Sequence, residues 1–537
     1  MKTRMKTGSL LAIACILVAA ITLSQHAIAS PVLPEAVVHH PVSTKKQEVQ
    51  KLFDQGLFFV YAFNHDEAIH RFQQAAQLDP GFAMAYWGIA LALGPNINLE
   101  ADPPRQKAAY EAMQKALALS ANAPEQEKQY IKALATRYTG KADEDLPGLA
   151  RRYKDAMKEL TARYPDDPDA ATLYAESLMN LRPWRLWSAD GRPAEGTPEI
   201  VSVLESVLLR HPAHVGANHY YIHAVEASPH PEWALPSADR LKAMQLPAGH
   251  LVHMPAHIYM RLGDYAQASE RNQAAAATDE AYLEKSGAHG IYPMMYYSHN
   301  LHFLAVTRGM EGRFEESMKA AEKLARHVTP HAAEMPMLEF FVSTPTLILA
   351  RFQKWPEILN LPEAPKSMPI SRNARHFARA LAYAATGKAE QARSERTLFL
   401  TSVKEMPADL KVDLNSAREV FQVALWYLDA HIAMARGDLP EAIDMLRKGA
   451  VAEDRLNYTE PPTWYLPLRE PLGAVLLQKG ELGAAEKTFR EELVRNPRSG
   501  RALFGLWESL KAQGRSYEAQ LVRREYEAAW SNADTKL

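Results

Sequence analysis

Cysteine is almost missing from this 537-residue chain, where Cys15 stands alone. A chain trimmed beyond that point carries no thiol. Disulfides and a cysteine nucleophile are then excluded, and any metal site must use histidine, carboxylate or methionine. An excess of charge of one sign is missing too, since 61 Lys and Arg stand against 63 Asp and Glu. With no basic block to neutralise phosphates and no base-reading motif, nucleic acid is not an expected partner. The apolar run from Leu10 to Leu23 falls short of the ~20 residues a bilayer-spanning helix needs. No later stretch qualifies, so no stable membrane insertion is expected. A phosphate-cradling glycine loop, a nucleophile elbow and the His-Glu-x-x-His zinc motif are absent as well.

What is present begins with Lys2, Arg4 and Lys6 ahead of the apolar run, which is followed by Ala27-Ile28-Ala29. That order predicts a secretory signal peptide cut after Ala29, leaving residues 30–537 exported to the periplasm or an equivalent space. A retained N-terminal anchor is the rival reading. Ala12-Ile13-Ala14-Cys15 loosely resembles a lipoprotein cleavage box, although the apolar run continues past Cys15 as in an ordinary signal. At 47% hydrophobic residues, the mature chain can bury a large core or a long stack of repeats.

Self-similarity at a fixed period decides the fold class. Gly56, Ala68, Phe72, Ala75 and Pro80, followed by Trp87-Gly88, have the small and aromatic spacing of a tetratricopeptide-repeat (TPR) helix pair. Gly473, Ala485, Phe489 and Pro497 repeat those offsets, and Ala519 follows Ala485 by 34 residues. Between these ends, Gly263, Gly312, Gly387, Gly437, Gly480 and Gly514 each sit where a left-handed turn would join two helices. The prediction is an all-α superhelix of TPR-type helix pairs over 30–537, with no alternating strands. A two-lobed arrangement is the alternative, breaking near residues 360–370, where Pro362, Pro365 and Pro369 cluster.

Eleven of the 20 histidines fall between His211 and His302, within central repeats spanning about 215–330. Aligning the repeats on Ala234, Ala268 and Ser317 superimposes His219, His253 and His302. One turn later His223 meets His257, and one turn earlier His250 meets His299. Histidines at i,i+3 and i,i+4 share a helix face, and packed helices ~8–10 Å apart let imidazoles from neighbours meet. These seven are therefore the candidate metal ligands. Glu226, on the face of His223, is a candidate ligand, orienting partner or general base; Asn218 is a weaker candidate. A polar groove lining without metal, or anion binding by protonated imidazoles, are the competing readings. His65, His70, His327, His376 and His431 read as ordinary core or surface residues.

The spacing between the second and third of these repeats is 49 residues rather than 34, which leaves extra chain near Thr278 to Ser298. It contains His289, Tyr292, Met294, Met295, Tyr296 and Tyr297, and it reads either as a flap over the histidines or as a surface loop whose aromatics pack down.

The segments Ala217 to Glu226 (ANHYYIHAVE), His250 to Tyr259 (HLVHMPAHIY) and Ser298 to Phe303 resemble the signature of a widespread family of exported bacterial TPR proteins. Gly94-Pro95-Asn96-Ile97-Asn98 and Pro461-Pro462-Thr463-Trp464-Tyr465, leading into Arg469-Glu470, are similar to its flanking stretches. The resemblance implies the fold but brings no reaction. In TPR proteins the first helix of each pair lines the concave groove, which implies that the seven histidines, Glu226 and Met260 face it. Asn96, Asn98, Trp464 and Arg469 are further, weaker candidates.

A nitrogen-rich site without thiolate suits copper or zinc, with iron also possible, as one or two ions. Met254, Met260, Met294 and Met295 nearby favour copper slightly. The leading expectation is a metal-dependent protein, oxidative or hydrolytic, with a small-molecule or peptide ligand in its groove. The alternatives are a TPR scaffold for a protein partner and a periplasmic metal carrier.

Overall fold

A computed structural model of the chain describes residues 37–141 and 145–537. The expected signal peptide, its cleavage point after Ala29 and Cys15 lie outside the described residues. From Gln47 to Ala529 the chain runs as successive helices packed in antiparallel pairs, so the all-α, TPR-type superhelix stands. Among the described residues the one sheet is a hairpin of two short strands, Lys411–Val412 and Asn415–Ser416, turning at Asp413.

The repeat geometry follows from an interlock of glycine and phenylalanine. A Cβ on Gly56 or on Gly88 would fall 2.5 Å from the ring of Phe72. Gly473 and Gly505 face Phe489 in the same way, so one buried ring wedges between two glycine-bearing helices at both ends of the array. The six turn glycines noted in the sequence all have positive φ, between 73° and 83°, the conformation an L side chain resists.

Residues 360–368 are non-helical and join the helix Trp355–Leu359 to Pro369–Ala385. The C-terminal repeats pack back onto the histidine repeats. Arg351 donates to the carbonyl of Tyr465 at 3.0 Å, and Arg501 donates to the carbonyl of Arg351 at 3.1 Å. Asp534 accepts from the amides of Phe314 and Glu315 at 2.7 and 2.9 Å, and Gly312 abuts the ring of Trp530. Segments 407–414 and 459–461 are thereby carried over the face that bears the histidines.

The extra residues near Thr278 to Ser298 are largely helical, their aromatics pack down, and Ile291, Met295 and Tyr296 border the histidines. The helix Tyr265–Ser286 runs on to 22 residues and ends at Gly287, with φ +58°. After a short turn, Tyr292–Tyr297 form a π-helix that leads directly into the helix Ser298–Met310. Tyr292, Met294, Tyr296 and Tyr297 are buried, so the segment is a packed wall. Among the described residues no helix is long and apolar enough to cross a membrane.

Candidate metal centre

Three helical stretches carry the histidines. Val215–Val225 holds His219 and His223 one turn apart, with Glu226 at its end. The second is Gly249–His253 followed by Pro255–Arg261, interrupted where Pro255 lacks an amide hydrogen. It holds His250, His253 and His257. The third, Ser298–Met310, holds His299 and His302.

The rings converge as two trios. Ligand atoms of His219, His223 and His250 lie within 4.8 Å of one another, and those of His253, His257 and His299 do the same. Each trio takes an i,i+4 pair from one helix and a single histidine from the next. The second trio is the first displaced by one repeat. Ring centroids of His223 and His257 are 5.6 Å apart across the seam, no farther than His223 and His250 within a trio at 6.1 Å.

Fixed acceptors set the tautomers. His219 Nδ1 lies 2.7 Å from the carbonyl oxygen of Tyr61, and His223 Nδ1 lies 2.7 Å from Glu226 Oε1. His257 Nδ1 bonds Glu226 Oε2. His253 Nδ1 lies 2.7 Å from Asn272 Oδ1, whose own amide nitrogen is committed to the Ala268 carbonyl at 2.8 Å. Acceptor-only partners at Nδ1 place the ring hydrogen there and leave Nε2 as a lone pair. His253 Nε2 then faces His257 Nε2 at 2.6 Å, His299 Nε2 lies 3.2 Å from His253 Nε2, and His250 Nε2 lies 3.1 Å from His219 Nε2. His223 Nε2 is buried with no partner at all. His250 Nδ1 has no partner and no acceptor fixes His299 Nδ1, so these two rings can instead carry their hydrogen on Nε2 and donate to His219 and His253, whereas the bare Nε2 of His223 is left for a cation to satisfy.

The electrostatics favour neutral rings at every member of the two trios except His257. Burial, reinforced by neighbouring histidines, holds His219, His250, His253 and His299 well below the ordinary imidazole range. Burial also pushes down on His257, but the Glu226 carboxylate outweighs it and raises that ring. Burial pushes Glu226 up, yet His257 and His223 pull it down to about 2. Both Glu226 oxygens are engaged from behind the rings, which makes it a bridge between the trios.

His302 joins neither trio. Its ring packs against Phe341, Phe340 and Tyr465 with centroids 5.4 to 5.8 Å away, and burial lowers its pKa to about 3. Its i+4 neighbour is Val306 where His219 and His253 have histidine, so the pattern stops there. Asn218 donates to the carbonyls of Pro212 and His214. Asn96 lies near His65, Trp464 donates to the Leu466 carbonyl, and Arg469 pairs with Asp454; Asn98 does border the site.

A third group with ligand spacing, His223, Glu226 and His257, straddles the two trios, and a fourth, His40, Asp167 and Asp169, is already satisfied internally. Asp169 bonds His40 at 2.8 Å, His214 at 3.1 Å and the Tyr61 hydroxyl at 2.5 Å, while Asp167 accepts from Tyr130 and Gln126. It anchors the N-terminal arm.

Other partners carry no spacing signal in the sequence. Asp279 accepts from Tyr292 at 2.9 Å and Asn300 at 2.8 Å and abuts Gly249, so it ties the residues beside His250 and His299 together. Burial pushes its carboxyl up to about 7. Glu460, brought in by the closing of the superhelix, lines a cavity of about 620 Å3 whose floor includes His223, His250, His257 and His299.

No family profile matches the sequence, and no curated protein sequence matches it, so the motif resemblance stands by itself. Solved structures with similarity include a human IFIT1 dimer with PPP-AAAA, at 14% identity and TM-score 0.32 over 92% of this chain and 96% of that one. Yeast Tom70 gives 12% identity and TM-score 0.29 over 89% and 90% of the two chains. The Cut9 and Hcn1 hetero-tetramer gives 11% and 0.28 over 90% and 94%. Scores this low transfer no residue roles.

Proposed function

We propose that the two histidine trios hold two transition-metal ions side by side, copper or zinc, and that the protein works as an exported, metal-dependent enzyme of the bacterial TPR family its motifs resemble. The observation carrying this reading is the convergence of two buried histidine trios, each with ligand atoms within 4.8 Å of one another, together with a His223 Nε2 that has no partner in the protein. Three nitrogen ligands per ion, with no sulfur, suit copper or zinc and leave an open position for a reacting molecule. Such ions would supply redox or Lewis-acid chemistry.

The chain's own residues do the rest. Tyr61, Asn272 and Glu226 fix the tautomers and aim the rings. Because both Glu226 oxygens are engaged, its role is positioning rather than proton transfer. The cavity beyond the histidines, about 620 Å3 and bordered by segments 407–414 and 459–461, is of a size that suits a small molecule. Five of the six ligands are buried and His299 is half-buried, as suits a retained centre better than a readily exchanging carrier.

Elemental analysis of untagged protein tests this. Two ions per chain is the expected result, and no stoichiometric metal even after reconstitution with copper and with zinc would overturn it.

A further inference from the structure

The cavity above the histidines has a chemistry of its own. Trp184, Ile291, Met295, Phe340 and Phe341 give it an apolar wall. Trp184 stands edge-on to His223 at 5.7 Å and is held at φ +60°, a conformation aromatic residues avoid and that persists only where surrounding structure imposes it. The charged lining residues Asp409, Lys411 and Asp413 are exposed on the 407–414 segment. Glu460 is different: it is only 5% exposed, Oε1 accepts from the Tyr458 hydroxyl at 2.6 Å, and Oε2 is buried without a partner. A buried carboxylate oxygen left unpaired is costly unless something donates to it.

We propose that this cavity binds a small uncharged molecule with an aromatic or otherwise apolar body and one hydroxyl or amino group, the latter donating to Glu460 Oε2. The body lies against Phe340, Phe341 and Trp184, which places the molecule beside the open faces of the two trios. The lining carries Asp409, Asp413 and Glu460 against the single cation Lys411, so a carboxylate is disfavoured. This assignment deepens the metal-enzyme reading and rests on it for the catalytic role, but not for binding itself.

Calorimetric titration with benzyl alcohol, toluene and benzoate tests it, on metal-free and zinc-loaded protein alike. At pH 8.5, above the value of about 7 to which burial raises the Glu460 carboxyl, benzyl alcohol should bind roughly tenfold more tightly than toluene, as one hydrogen bond to a buried charged acceptor predicts, and benzoate should not bind. Glu460→Leu should erase the difference between alcohol and hydrocarbon while toluene still binds. Ile291→Trp, at a partly exposed wall position, should block both. Equal binding of toluene and benzyl alcohol by the unaltered protein, preference for benzoate, or no binding of any probe overturns the proposal. Metal content measured on the same samples separates the two readings. Two ions without probe discrimination defeats the cavity assignment alone, and probe discrimination without metal defeats the metal centre alone.

Discussion

The Nδ1 hydrogen of His219 is donated to the main-chain oxygen of Tyr61, 158 residues earlier, at 2.7 Å. Tyr61 ends the helix Gln47–Tyr61, and its hydroxyl is bound by Asp169, which His40 and His214 hold in turn. The first repeat therefore sets the ring orientation of one trio only. Tyr61→Phe keeps the carbonyl but frees the helix end. Losing an orienting partner typically costs about 10–100-fold in metal affinity, and this indirect change should sit at the low end. Chelator competition should show weakening at the site of His219, His223 and His250 with the other unchanged.

Stoichiometry should divide along the trios. His219→Gln and His299→Gln should each leave one ion per chain by elemental analysis, and the double variant none. His302→Gln should retain two, because that ring lies outside both groups.

Glu226→Gln removes the charge shared by His223 and His257 while keeping its shape. Both sites should weaken together, by roughly 10–100-fold. A loss confined to one site would contradict the bridging geometry.

Gly249→Ala would put a Cβ 2.1 Å from the Asp279 carboxylate, next to His250. Overpacking of this kind costs about 1–3 kcal/mol, so the melting temperature should fall and the His250 site should lose affinity.

Acid should weaken the histidines' contribution to the stability of the metal-free protein. His219, His250, His253 and His299 have pKa values depressed by burial, so below the ordinary value the unfolded chain binds protons that the folded chain refuses. Their stabilisation is present above about pH 6.5 and is lost as the pH falls through that value. Asp279 acts in the opposite sense, since its carboxyl is raised to about 7 and its contribution fades as the pH rises toward that point. Glu339, Glu453 and Glu460, also raised by burial to about 7, act with Asp279, so the histidine contribution is read by difference, as the part of the pH slope between about pH 7.5 and about pH 5.5 in urea titrations that a variant lacking one ring no longer shows. His253→Phe should flatten that slope.

The repeat architecture was legible because it depends on local chemistry: Phe72 and Phe489 between paired glycines, and turn glycines with positive φ. The phase of the histidines was legible for the same reason. Their grouping was not, since register superimposes His219 on His253 while the trios run diagonally, from a helical pair to the preceding-turn histidine of the next helix. That diagonal depends on how far neighbouring helices slide, which packing decides. Val306 was the available sign that His302 would stand apart. Tyr61, Asn272, Asp279 and Glu460 reach the site through second helices, main-chain atoms or the closing of the superhelix, none of which has a local signature. The stretch after Thr278 read as a flap or loop because its length broke the period, yet its Ala- and Glu-rich start continues the helix Tyr265–Ser286.

The displacement of one trio from the other by a single repeat has an evolutionary corollary. Tandem duplication of one hairpin would copy a ligand set along with its scaffold, so a second binding position need not be invented separately. The array also carries the rudiment of a third: a histidine at Val306, beside His302, would restore the i,i+4 pair and extend the row.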